Sequence, residues 1–114
     1  MIRNYKKKFD LQNKLAFVAG GQGYIGYEIV NALASINCRV VVLDIYRTKR
    51  NKDKKIQNEY VDLSKTSKLE KFFKRIIKKH GMADIFINAS YPRTKDWKKN
   101  SFQKINLKSF EANI

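Results

Sequence analysis

Two kinds of hydrophobic spacing alternate along this chain. Leu15-Ala16-Phe17-Val18-Ala19 is a short unbroken apolar run that stops at Gly20-Gly21, which is too short for a helix and suits a strand covered on both faces. Over residues 24–35 the apolar positions change spacing: Ile25, Ile29, Val30, Ala32 and Leu33, with Ile36 just beyond, recur every three or four residues. That spacing predicts an amphipathic helix with one face against the first strand. Residues 38–45 return to an unbroken run, Val40-Val41-Val42-Leu43, closed by Asp44. Such a run is expected of a strand in a parallel sheet, buried on both sides.

Residues 46–59 are mostly charged or amide side chains around a single aliphatic, Ile56, and predict a loop or one frayed turn rather than a packed crossover helix. Tyr60-Val61-Asp62-Leu63 reads as a short third strand, with Ser64 or Thr66 placed to cap the next helix. In that helix Leu69, Phe72, Phe73, Ile76 and Ile77 make one face, and Lys68, Lys71, Lys74, Lys78 and Lys79 make the other. His80-Gly81 ends it, with Gly81 free to take the left-handed conformation. Residues 83–88 form a fourth strand, a polar loop runs from Ser90 to about Lys104, and residues 105–114 begin another element. The alternation predicts a single α/β domain over residues 1–114, with a polar lead over 1–12. Its doubly wound parallel sheet is expected in strand order 3-2-1-4.

Size and composition agree with that picture. A chain of 114 residues holds one domain, and 43% hydrophobic residues with only six Gly plus Pro mark it as folding. Its formal charge of +15 raises a second reading, a basic nucleic-acid-binding module. Lysine supplies 19 of the 25 basic residues and arginine 6, beside 10 Asn and 12 Ile; biased codon usage produces that mix, and arginine, which forks onto phosphate and guanine, is not enriched. The basic 47–55 stretch carries no interleaved aromatic platform. Specific nucleic-acid binding is therefore not expected. One cysteine, Cys38, excludes an internal disulfide and a cysteine zinc site and fits a reducing compartment. No leader-like or membrane-spanning apolar run is present, so a cytoplasmic protein is expected. Cys38 reads as a buried apolar side chain, and His80 as a helix C-terminal residue rather than a metal ligand.

The chemistry lies at the first strand–helix junction. Gly21-Gln22-Gly23-Tyr24-Ile25-Gly26, preceded by Gly20, is a G-x-G-x-x-G between a predicted strand and a predicted helix, the Rossmann context in which the early glycines make room for a pyrophosphate at a helix N-terminus and Gly26 lets helix and strand pack closely. Asp44 follows Gly26 by 18 residues at the end of the second strand, placed to accept hydrogen bonds from the adenosine ribose. A carboxylate there favours NAD; Arg47, Lys49 and Arg50 beyond it keep NADP open.

These residues resemble the short-chain dehydrogenase/reductases. The run from Gly20 to Gly26 looks like that family's cofactor motif in the spacing of its extended members, with Ala19 where Thr is common. Asp62-Leu63 resembles the pair along the adenine ring. Ile87-Asn88-Ala89-Ser90 resembles the family's Asn-Asn-Ala-Gly, with Ile87 and Ser90 as departures. The stretch over residues 88–97 is similar to the bacterial branch associated with flagellin or surface-sugar modification.

The resemblance implies a cofactor site of Gly20, Gly21, Gln22, Gly23, Tyr24, Ile25, Gly26, Asp44, Asp62, Leu63, Asn88, Ala89 and Ser90. It implies NAD as cofactor, a small-molecule hydroxyl or carbonyl substrate, and a homo-oligomer. The family's catalytic Ser, Tyr-x-x-x-Lys and Asn lie on later elements. Tyr91-Pro92-Arg93-Thr94-Lys95 matches the string, but Pro92 blocks a regular helix there, and Asn113 falls before the expected Asn. No catalytic residue is assigned. The chain is expected to be the cofactor-binding half of an oxidoreductase, or else an inactive remnant, and its open fourth strand is expected to promote self-association.

Overall fold

A computed structural model of the chain describes residues 5–46, 51–90 and 107–112. The unbroken apolar runs form the centre of a parallel sheet. Strand β1 (Leu15–Ala19) is buried at every position, and β2 (Arg39–Asp44) at every position but Arg39. Strand β3 (Ile56–Tyr60) pairs with β2, and β4 (Ile85–Asn88) with β1, giving the order β3-β2-β1-β4 with every pairing parallel. The expected 3-2-1-4 sheet is what forms.

Alternation along the inner strands sends side chains to two separate cores. Ala16 and Val18 of β1 join Val40, Val42, Ile56 and Cys38 under helix α2 (Tyr24–Ser35), which contributes Val30 and Ala34. Leu15 and Phe17 join Val41, Leu43 and Val61 under helix α3 (Leu69–His80), which contributes Phe72 and Ile76. Helices on both faces make the sheet doubly wound. Two shorter helical pieces, α1 (Tyr5–Lys8) within the polar lead and α4 (Leu107–Ala112), complete the described chain.

Several elements depart from the sequence reading. Helix α2 buries Gly26, Val30 and Ala34, with Ile29 and Leu33 partly covered, while Ile25 is 73% exposed and Ala32 is exposed. The close-packing stripe is thus the small residues four apart, which hydrophobicity alone does not mark. Strand β3 starts four residues before the expected 60–63. Its residues, Ile-Gln-Asn-Glu-Tyr, make an edge strand with Ile56 as its buried anchor, and Val61 follows the strand, joined to it through its amide on the Asp44 carbonyl at 2.9 Å. Strand β4 is shorter than the expected 83–88.

Neither Ser64 nor Thr66 caps α3. A 3-10 turn over Thr66–Lys68 leads into it with no side-chain cap, and the Ser64 hydroxyl donates to Asp62 instead. Gly81 does need its positive φ of 102°, but its ψ of 173° is extended rather than left-handed helical. The Tyr91–Lys95 string, the basic residues Arg47, Lys49 and Arg50, and Asn113 lie outside the described residues. Among the described residues no helix is long and apolar enough to cross a membrane.

Candidate functional site

Because all four strands are parallel, their carboxyl ends share one rim, where open α/β sheets bind ligands. The ladder continues past each strand. Gly20 donates its amide to Leu43 O at 2.8 Å and Ala89 to Ala19 O at 2.8 Å, which draws the glycine loop, Asp44 and Asn88-Ala89-Ser90 together. Asp62 and Leu63 follow β3 on the same rim.

The glycines of the loop do different jobs. Gly20 has φ 75°, and a β-carbon on it would lie 2.6 Å from the Ser90 nitrogen and 2.7 Å from the Ala89 carbonyl oxygen. Its bare backbone lets the loop rest on the segment after β4. A β-carbon on Gly21 would meet Val42 Cγ1 at 2.7 Å, and one on Gly26 would collide with the Gly20 carbonyl, with Gly21 Cα at 2.9 Å. Gly23 differs. Its φ is −73°, open to any residue, and a β-carbon there would meet only Gly20 O at an ordinary 3.4 Å. Nothing in the described chain requires glycine at 23, so the space in front of it is free for a ligand.

Gly23 is also the N-cap of α2. It supplies no side-chain cap, and the first turn holds no acid. The opening amides of the helix, at Tyr24, Ile25 and Gly26, have no intrahelical partners, and their dipole favours an anion. Tyr24 and Ile25 project outward, both largely exposed. The loop therefore pairs an open steric slot with a positive helix end, the donor set that fits a pyrophosphate.

Asp44 is buried, and its carboxylate is held by main-chain donors: Gln22 N–H to Oδ2 at 2.9 Å and Tyr46 N–H to Oδ1 at 3.1 Å. The acid at the end of β2 thus clasps the glycine loop itself, with its orientation set before any ribose arrives. Gln22 reaches further, its Nε2 donating to Asn58 Oδ1 on β3 at 2.7 Å. Sequence reasoning missed Asn58, whose surroundings it took for loop.

Two Asx turns shape the rest of the rim. Asn88 Oδ1 accepts from the Ser90 amide at 3.0 Å and from the Ser90 hydroxyl, so Ser90, where the resembled motif has glycine, locks the Asn88 side chain. Asp62 Oδ1 accepts the Ser64 hydroxyl at 2.6 Å and its amide at 3.0 Å, and these bonds hold the Asp62 carboxyl below its ordinary value. Leu63 turns inward, partly buried against the α3 core.

Glu59, His80 and Cys38 lie away from this rim loop and serve packing. His80 is more than a helix end: its side chain is 5% exposed and its Nε2 lies 2.8 Å from Glu59 Oε1, which also takes Lys79 Nζ at 2.7 Å. Burial pushes Glu59 up, but the bonds and charges of Lys79 and His80 outweigh it and leave the carboxyl below its usual value. Cys38 is buried, and burial raises its thiol. Among the described residues no three His, Cys, Asp or Glu side chains are grouped to hold a metal.

The short chain dehydrogenase family model matches residues 14–114. Among solved structures, the fold is similar to a short-chain dehydrogenase from Leptospira borgpetersenii serovar Hardjo-bovis with bound NAD+, at TM-score 0.72 and 22% identity over 97% of this chain and 42% of that one. A double variant of a Serratia marcescens short-chain dehydrogenase/reductase gives TM-score 0.64 and 24% identity over 90% and 45%. The 2-keto-3-deoxy-D-gluconate dehydrogenase of Streptococcus agalactiae gives 0.64 and 20% over 93% and 41%. The chain therefore spans less than half the length of each of these proteins. No curated protein matches its sequence.

Proposed function

Because the chain belongs to the short-chain dehydrogenase family, we propose that it binds NAD along the carboxyl rim of its sheet. It is then the cofactor-binding portion of an oxidoreductase acting on a hydroxyl or carbonyl group of a small molecule. Bound there, the dinucleotide supplies the acceptor or donor of a hydride. The chain's own residues bind and orient it. The slot before Gly23 and the opening amides of α2 take the pyrophosphate, and Asp44, fixed by the Gln22 and Tyr46 amides, accepts from the adenosine ribose. Asp62 and Leu63 border the adenine, and Asn88, Ala89 and Ser90 close the rim on the other side of the loop. Among the described residues we assign no catalytic group.

The observation that carries this reading is the contrast within the loop: Gly20, Gly21 and Gly26 have no room for a side chain, whereas Gly23 has room and leaves it unused. Titration of the 114-residue chain with NADH, followed by nicotinamide fluorescence, tests it. Gly23→Val should abolish binding and leave the fold intact, and Asp44→Ala should weaken it and narrow the gap to NADPH. Absence of NADH binding to folded protein, or unchanged binding by Gly23→Val, removes the proposal. An affinity that ignored Gly23 and collapsed with added salt would point to the net charge instead.

Two further readings belong with this one. The lone buried thiol of Cys38 supports a reducing compartment, the cytoplasm. Strand β4 pairs only with β1 among the described strands and leaves Phe86 54% exposed, which supports self-association through that edge. Phe86→Lys should raise the fraction of monomer in size-exclusion chromatography, and an unchanged profile would argue against that edge.

A further inference from the structure

We propose that Asn58 is a positioning residue for the cofactor loop, acting through Gln22. The proposal rests on the NAD reading above and adds a residue that lies outside the glycine motif, on the sheet's edge strand.

Gln22 is held at two points. Its main-chain amide donates to Asp44 Oδ2 at 2.9 Å, and its side-chain Nε2 donates to Asn58 Oδ1 at 2.7 Å. Asn58 sits opposite Val42 in the β2–β3 register, two residues past Ile56, and so on the same face of the strand. Ile56 fills the α2-side core, while Asn58 is partly buried and meets the loop. Gly21, on one side of Gln22, packs where a β-carbon would meet Val42 Cγ1 at 2.7 Å, so no side chain fits there; Gly23, on the other, is the open slot. Rotation of the Gln22 peptide would therefore move both the amide on Asp44 and the wall of the slot.

A second amide pair, Asn51 Nδ2 to Asn31 Oδ1 at 2.7 Å, ties the segment before β3 to helix α2. The polar residues of the β3 edge thus register the strand against the glycine loop and its helix. Removal of the Asn58 acceptor leaves the partly buried Gln22 amide without that bond, and the loop must then be ordered when the cofactor binds.

NADH titrations of the full 114-residue chain test this through a double-mutant cycle. Asn58→Leu removes the acceptor at similar size and should weaken NADH binding about threefold to tenfold, as loss of one net hydrogen bond implies. Gln22→Met should do the same, and the double variant should bind no worse than the weaker single one, because both remove one interaction. Asn58→Asp keeps an acceptor for Gln22 Nε2 and should restore affinity, a rescue that general loosening of the edge would not give. Asn58→Ala replaces the leucine variant if the latter does not melt cooperatively. Wild-type binding with unchanged affinity in the Asn58 variants, additive losses in the cycle, or failure of the aspartate to rescue each overturns this proposal and leaves the NAD reading standing. Failure of the folded wild type to bind NADH overturns both.

Discussion

The inner pair of strands and the outer pair are made by opposite rules. Strands β1 and β2 are buried at every position except Arg39, and each sends alternate side chains into both cores. Strand β4 alternates between partly covered and open positions, β3 has one buried residue, Ile56, and the two strands carry Gln57, Asn58, Glu59 and Asn88 among their residues. The inner pair supplies the apolar burial that makes the fold. The outer pair supplies directional polar bonds: Asn58 to Gln22 and Asn88 to Ser90 set where rim residues sit, and Glu59 to His80 ties β3 to the end of α3. Burial is tolerant of small shifts, and hydrogen bonds are not, so the edges decide the precision of the site.

The largest break in this contrast is expected at the centre. Leu43 is fully buried in the α3-side core, and Leu43→Ala should destabilise the chain by about 2–5 kcal/mol, from lost transfer energy and the cavity left behind. Chemical denaturation read by circular dichroism would measure it. A loss no larger than that of Phe86→Ala at the β4 edge would mean that the inner strands are not the seat of stability.

Next in size is the buried polar link between β3 and α3. Glu59→Ala leaves His80, nearly inaccessible, without its carboxylate, and should cost about 1–3 kcal/mol. The pH dependence follows from the lowered carboxyl. Its folded value lies below its unfolded one, so its stabilisation is complete above the ordinary glutamate range and is lost as pH falls through the folded value. Glu59→Gln should remove that part of the acid sensitivity. Parallel stability–pH curves for wild type and Glu59→Gln would disprove the assignment.

How much could be read from sequence divides along the same line. Inner strands announce themselves, because burial on both faces leaves room only for Leu15–Ala19 and Val40–Leu43. Helix α3 is equally plain, its lysines on one side and Phe72 and Ile76 on the other. The glycine loop and Asp44 were legible because a strand, a tight turn and a helix must follow one another there. Strand β3 was misplaced because an edge strand with one solvated side needs a single buried anchor, Ile56, and the apolar pattern is too sparse to register it. The Gln22–Asn58 bond was hidden for a related reason: residues 36 apart in sequence meet only once the strand order is known. On the packing stripe of α2, Gly26 and Val30 were legible, the one from the glycine motif and the other from its apolar spacing, and Ala34 escaped because it is chosen for smallness. Gly26 lies against Gly20 where no side chain fits.

A smaller effect tests the β4 edge. Phe86 is half exposed and meets Phe73 edge to face, with ring centroids 6.2 Å apart at 65°. Phe86→Ala should therefore cost only about 1 kcal/mol, close to the worth of an aromatic pair and its partial burial. A double-mutant cycle with Phe73→Ala isolates the pair, and a loss as large as at Leu43 would show β4 to be as fully packed as the inner strands.

The smallest effect belongs to the lysine-rich outer face of α3, where most of the charge of that helix is displayed. Lys74 Nζ lies 2.9 Å from Glu70 Oε1 in the i, i+4 geometry, but the two side chains are 76% and 81% exposed. Water screens such a pair, and holding two long side chains in one geometry offsets most of the attraction, so it is worth about 0.3–0.5 kcal/mol at low salt. Glu70→Ala should shift the denaturation midpoint barely above error, and moderate salt should erase the difference. A clear loss persisting in salt would mean that the outer face of α3 is covered in solution, and that its lysines, like the amides of β3, hold structure rather than face water.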